Sequence, residues 1–148
     1  MKFLLTFLVF GYCLTFSRAQ ETVVDSLPAI VTDTFTLLYP DAKSIEWQMI
    51  DGHYKAEFKN YKTPTMALID AQGKLIQTRT QIKITALPQL ALEYLAQNFV
   101  DKKINLATIS EDDKGVITFT AVADKTDFTF DSEGKLLQMS EVANLGKE

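Results

Sequence analysis

Few side chains in this 148-residue sequence are of types that perform acid–base, nucleophilic or metal chemistry, and those few are scattered. There is one histidine, His53, and one cysteine, Cys13. His53 follows the Asp51-Gly52 turn and has no partner that the sequence can name, so it reads as a solvated or turn-capping group rather than a general base. One Cys and one His make neither a disulfide framework nor a zinc site. No Gly-x-Ser-x-Gly elbow and no phosphate loop occurs. Glu111-Asp112-Asp113 runs into Lys114-Gly115, and it reads as a solvated hairpin turn with too few ligands for a divalent cation. Asp70 and Asp131 each open an Asp-x-x-Gly-Lys stretch. A calcium loop would continue to a bidentate acid, whereas Lys74 and Lys135 follow the glycines here. The aspartate instead begins a type I turn and the glycine takes the left-handed position after it. No two carboxylates stand out as an acid/base couple. These residues predict a protein that is not an enzyme and carries no catalytic group, no cofactor and no metal.

Composition narrows the class further. With 47% hydrophobic and 23% charged residues the chain is globular in type. Fifteen basic residues against 19 acidic ones give a net charge of −4, which argues against a nucleic-acid partner. Residues 1–19 have the layout of a secretory signal peptide. Lys2 precedes an apolar run from Phe3 to about Phe16, and Ser17-Arg18-Ala19 places small residues at the −3 and −1 positions of a cut. The run is shorter than the roughly 20 residues a spanning helix needs, and Tyr12 before Cys13 departs from a lipoprotein signal. The expectation is therefore a cleaved signal over 1–19 and a domain over 20–148 that contains no cysteine and no membrane span.

That domain reads as two copies of one unit, about 27–86 and 87–145. Leu27-Pro28 and Leu87-Pro88 open apolar-periodic runs sixty residues apart, and the two Asp-x-x-Gly-Lys stretches lie sixty-one apart. Leu27, Ile30, Val31, Phe35, Leu38 and Tyr39 have helical spacing, and Pro40 is expected to stop that helix. Leu87, Leu90, Ala91, Tyr94, Leu95 and Phe99 repeat the pattern. After each helix the period becomes two. Ile45, Trp47 and Met49 alternate with polar residues, as do Tyr54, Ala56 and Phe58. With Tyr61-Lys62 at a hairpin tip, Phe58 lies opposite Thr65, Ala56 opposite Ala67 and Tyr54 opposite Ile69. With the second tip at Asp124-Lys125, Ala121 faces Phe128 and Phe119 faces Phe130. The predicted fold is α+β: two tandem α-β-β-β-β repeats forming a continuous antiparallel sheet, with both helices packed on one face.

Leu-Pro, Tyr-Pro, Ile45-x-Trp47, Tyr54-x-Ala56-x-Phe58 and Asp70-x-x-Gly73-Lys74, with the cycle repeated, resemble the PepSY-like proteins also described as β-lactamase-inhibitor-like periplasmic proteins. The resemblance covers about 27–142. The second copy departs from it: Val100 stands where Pro40 stands in the first, and no tryptophan follows. The resemblance implies a location in the periplasm of a Gram-negative bacterium and a fold of two helix-plus-sheet units. It brings no catalytic residues.

With the helices on one side, the other face of the sheet is the candidate binding surface. It should carry Lys55, Glu57, Met66, Leu68, Gln77 and Arg79, continued by Thr118, Thr120, Val122, Thr129 and Gln138. Met66 and Leu68, exposed side by side, would form a small apolar centre within a polar rim. The expected function is a non-enzymatic extracytoplasmic binding or inhibitory module that engages a protein or peptide of the cell envelope through this face. Two alternatives are a structural or stress-related envelope protein and a binder of a small ligand or metal between the repeats.

Overall fold

The computed structural model describes residues 22–23 and 26–141, so the signal peptide read over 1–19 and the end of the second repeat lie outside the described residues. Eight strands of six to nine residues form one sheet, joined at one edge by a two-residue β1 (Thr22–Val23) that the sequence reading missed. After β1 the chain forms α1 (Ala29–Leu38), β2 (Lys43–Ile50), β3 (His53–Asn60), β4 (Thr63–Ile69) and β5 (Leu75–Ile82). A single 3-10 turn at Ile84–Ala86 leads into α2 (Gln89–Asn98), β6 (Ile104–Asp112), β7 (Ile117–Ala123), β8 (Thr126–Asp131) and β9 (Leu136–Glu141). Strand order in the sheet equals order in the sequence, and every neighbouring pair is antiparallel.

The register follows the alternation of side chains. Phe58 pairs with Thr65, Ala56 with Ala67 and Tyr54 with Ile69. Ala121 pairs with Phe128 and Phe119 with Phe130. Directly opposed residues share a face, so this face can be traced across the sheet through Ala67–Thr78, Thr80–Ile109, Ile82–Ala107 and Ala107–Ala121. Both helices lie on it. Val31 and Phe35 of α1 pack with Ala56, Phe58, Ala67 and Ile69. Ala91 and Leu95 of α2 pack with Ala107, Ala121, Ala123, Phe128 and Phe130. The two clusters are separate cores under separate helices. Alanine recurs at the points of closest approach because a larger side chain would lift the helix off the sheet. Aromatic rings fill the flanks: Phe35 meets Phe58 edge-on at 4.9 Å and Trp47 at 5.1 Å.

One expectation about the helices is corrected. Ile30, Leu38 and Leu90 have apolar spacing but are 51%, 45% and 55% exposed, because only a narrow stripe of each ten-residue helix reaches the sheet. Pro28 caps α1, its carbonyl accepting from Val31 N and Thr32 N at 3.0 and 3.2 Å. Pro40 follows the end of α1 as expected, and α2 stops at the same relative position with Val100 in its place. In both helices the capping residue is aromatic and turns aside to pack on the sheet, Tyr39 on Phe58 at 4.7 Å and Phe99 on Phe128 at 4.6 Å. The same turn follows, closed by Ala42 N to Tyr39 O and Lys102 N to Phe99 O. Trp47 and Phe119 are partly buried against the two cores.

The Asp-x-x-Gly turns do more than reverse the chain. Asp70 Oδ1 accepts from the backbone N–H of Gln72 and Lys74 at 2.9 and 2.8 Å, and Asp131 Oδ1 does the same with Glu133 and Lys135 at 3.0 and 2.8 Å. The glycine of each turn then lies against the start of a helix. A Cβ on Gly73 would stand 2.8 Å from Ile30 Cγ1, and one on Gly134 would stand 2.7 Å from Ala91 N. These glycines serve close approach as well as backbone conformation.

Candidate functional site

The face away from the helices is built by the residues that alternate with the core. Register aligns them in rows. Glu57, Met66, Arg79, Ser110 and Thr118 form one row, and Lys55, Leu68, Gln77 and Asp112 form the next. All six predicted residues therefore share one surface. Their exposure differs from expectation, because Met66 and Leu68 are half-buried rather than exposed side by side. The Lys55 side chain, only 12% exposed, has its ammonium 3.0 Å from Glu57 Oε1 on the same strand. Arg79 is exposed, and its Nε donates to Ser110 Oγ at 3.3 Å, while Gln77 is half-buried.

A shallow groove of about 270 Å³ runs along this face across the junction of β5 and β6. Met66 forms its apolar floor with Leu106, and Glu57, Arg79 and Gln81 form its polar wall. Thr108 and Ser110 are 8% and 4% exposed although no helix covers them, because Gln81 and Arg79 stand opposite them. Gln81, Leu106, Thr108 and Ser110 were absent from the predicted set. Strand period alone, carried to the end of β5 and into β6, would have included them. Thr120, Thr129 and Gln138 extend the surface. Two buried acceptors on it, Gln48 Oε1 and Asp127 Oδ1, have no hydrogen-bond partner among the described residues.

The residues with chemical potential are engaged locally. His53 Nδ1 lies 3.0 Å from the Asp51 carbonyl, the turn-capping geometry expected of it. Asp112 Oδ1 accepts from Lys114 N and Val116 N, both at 2.9 Å, so the acidic run contains a third turn of the Asp70 type. Its Asp-x-x-Gly spacing was the available signal. Asp113 reaches back to Lys74, joining the β4–β5 turn to the β6–β7 turn. The hydrogen bond to Lys74 holds the Asp113 carboxyl below its ordinary range, and the same bond raises the Lys74 ammonium. Among the described residues no three His, Cys, Asp or Glu side chains are grouped to hold a metal, and no helix is long and apolar enough to cross a membrane.

No protein-family model matches the sequence, and no curated protein sequence matches it. Solved structures do share the fold. A DUF2874 family protein from Bacteroides uniformis superposes with a TM-score of 0.74 at 16% identity, over 82% of this chain and 94% of its own. A Bacteroides eggerthii protein described as periplasmic gives 0.74 at 17% identity, over 80% and 91%. A BLIP-like protein from Bacteroides fragilis gives 0.67 at 22% identity, over 84% and 94%. The chain is thus similar to BLIP-like and DUF2874 proteins in its α+β fold, a helix-backed antiparallel sheet.

Proposed function

We propose that the protein is a non-enzymatic extracytoplasmic module that engages a protein or peptide of the cell envelope through the groove on its outer sheet face. The observation that carries this reading is the groove itself. An apolar floor of Met66 and Leu106 sits inside a charged and amide wall on a face that neither helix covers. Such a patch, with Arg and Met in it, has the composition of an interface centre. The signal-peptide layout of 1–19 and the fold shared with a protein described as periplasmic support a periplasmic location in a Gram-negative cell. The BLIP-like description of another neighbour supports an inhibitor-like role over a PepSY one.

The reading includes duplication. Each helix is followed by four antiparallel strands, and residues 31–40 and 91–100 have the same order of buried and exposed positions. Both helix ends and both Asp-x-x-Gly-Lys turns repeat in detail. We read these as two copies of one unit whose fused sheets create the groove at their seam.

The test uses the protein without residues 1–19 and the variant Met66→Glu/Arg79→Glu. Both are cross-linked in an envelope extract and the captured species identified. A partner that saturates with the unaltered protein and is lost from the variant, at equal melting temperatures, is expected. Identical captures by both would remove the outer face from the account.

A further inference from the structure

We propose that the corner formed by the start of β2 and the β3–β4 hairpin is a binding site for a phosphomonoester group, held by Lys43, Lys59 and Lys62. This site is separate from the groove on the outer face and does not rest on the function proposed above. The corner is a concavity of about 480 Å³ lined by Asp41, Lys43, Ser44, Lys59, Tyr61 and Lys62. Three lysine side chains therefore line one hollow in a chain whose net charge is −4.

The placement of these lysines runs against ordinary sheet stabilisation. Lys43 and Lys59 are directly opposed across β2 and β3, a like-charge pair that strand pairing disfavours. Among the described residues none of the three makes an ion pair. The hairpin tip runs against preference as well. Tyr61 and Lys62 both take positive φ, at 47° and 72°, in a two-residue turn where Asn-Gly would be easiest.

The one acid on the wall is already engaged. Tyr61 Oη donates to Asp41 Oδ2 at 2.7 Å, which fixes the ring against the hollow and occupies a carboxylate oxygen. Three lysines and one aspartate leave two positive charges. A phosphomonoester carries about −1.5 to −2 at neutral pH and offers three acceptor oxygens to converging donors. A carboxylate would leave charge uncompensated. The Ser44 hydroxyl, at the bulge between Lys43 and Glu46, is a further neutral donor on the lining.

Such a group could come from a soluble phosphomonoester or from a lipid headgroup, and the experiment separates them. Inorganic phosphate is titrated into the isotopically labelled protein at constant ionic strength while amide shifts are followed. Saturable shifts confined to residues 41–44 and 59–62 are expected. Lys59→Gln/Lys62→Gln should weaken binding by about tenfold or more, since two charge-assisted contacts are lost. Asp41→Asn should tighten it. All three positions are exposed, and the amide spectrum reports whether each variant keeps the fold. In a second arm the protein is sedimented with phosphatidylcholine vesicles with and without phosphatidic acid. Co-sedimentation that needs phosphatidic acid and both lysines assigns the lipid source. Phosphate binding without it assigns the soluble one. Shifts that do not saturate, that spread to lysines elsewhere such as Lys83 and Lys114, or that persist unchanged in the double-lysine variant overturn the proposal.

Discussion

Gly115 and Gly134 occupy the same position of the same Asp-x-x-Gly turn, with φ of +77° and +92°, yet they differ in one respect that a single methyl group can measure. A Cβ at Gly115 meets nothing within 4 Å. A Cβ at Gly134 would stand 2.7 Å from Ala91 N, 2.9 Å from Pro88 Cβ and 3.1 Å from Leu90 Cβ. Alanine at either site carries the left-handed penalty of about 1–2 kcal/mol, offset by about 0.4–1 kcal/mol from the stiffer unfolded chain. Gly115→Ala should therefore cost at most about 1.5 kcal/mol. Gly134→Ala must in addition push the first turn of α2 away from the sheet. That turn is backbone and proline ring, which cannot rotate aside, so an overpacking term of about 1–3 kcal/mol is added. Gly73→Ala should fall between them, because its two nearest neighbours are side-chain atoms, Ile30 Cγ1 at 2.8 Å and Thr34 Oγ1 at 3.0 Å, with the Ile30 carbonyl at 3.1 Å. The assay is urea unfolding of the three variants, comparing midpoints at constant slope. If Gly134→Ala and Gly115→Ala agree within about 0.5 kcal/mol, the turn does not brace the helix, and the reasoning about close approach fails.

Other outcomes follow from packing and charge. Phe130→Ala removes a fully buried ring beneath α2 and should cost about 3–5 kcal/mol, whereas Met139→Ala, at a residue 56% exposed, should leave the urea midpoint almost unchanged. The Lys74–Asp113 tie should be visible in the pH dependence of melting. The Asp113 carboxyl is held below its ordinary range, so its contribution is present above the unfolded-state value and lost as pH falls through the folded one. Lys74 is raised, so its share is lost only as pH rises above the ordinary lysine range. The melting difference between the unaltered protein and Asp113→Asn should thus vanish in strong acid, and a difference that persists there would refute the assignment. Millimolar calcium should leave the melting temperature within about 1 °C, because the aspartate oxygens of the three turns already accept backbone N–H groups, and a native-state ligand would raise it.

The register of the β3–β4 and β7–β8 hairpins was legible because one face is apolar and a slip of one residue would turn Phe58 or Phe130 to solvent. The six residues of the outer face followed from the same alternation. What was not legible depended on distance in space. Ile30 and Leu90 fit the helical period, yet the buried stripe proved narrower than the period. Met66 and Leu68 lie on the predicted face, but they are half-buried there, which no period encodes. Pro40 follows the end of α1, yet α2 ends in the same way on Phe99 without a proline, so the shared signal is the aromatic cap. The buried alanines Ala56, Ala67, Ala107 and Ala121 mark where the helices sit, and alanine is too common a residue to reveal this in advance. The acidic run at Glu111 contains a third turn of this kind, carried by the spacing of Asp112 and Gly115 rather than by the charge of the run.

Strand order that equals chain order has a kinetic meaning. Each sheet partner is reached across a few residues, except at the β1–β2 and β5–β6 boundaries, where the chain passes through α1 and α2 before the edges meet. Closing these two intervals is the entropically demanding part of assembly, and the strands between them can zip from local hairpins. Each hydrophobic cluster is complete within one continuous half of the chain, apart from Ile82, which reaches from β5 onto the second cluster. A nick between Ile82 and Ile84 would therefore yield two fragments with nearly whole interiors and complementary open borders, suited to reassociation by strand addition.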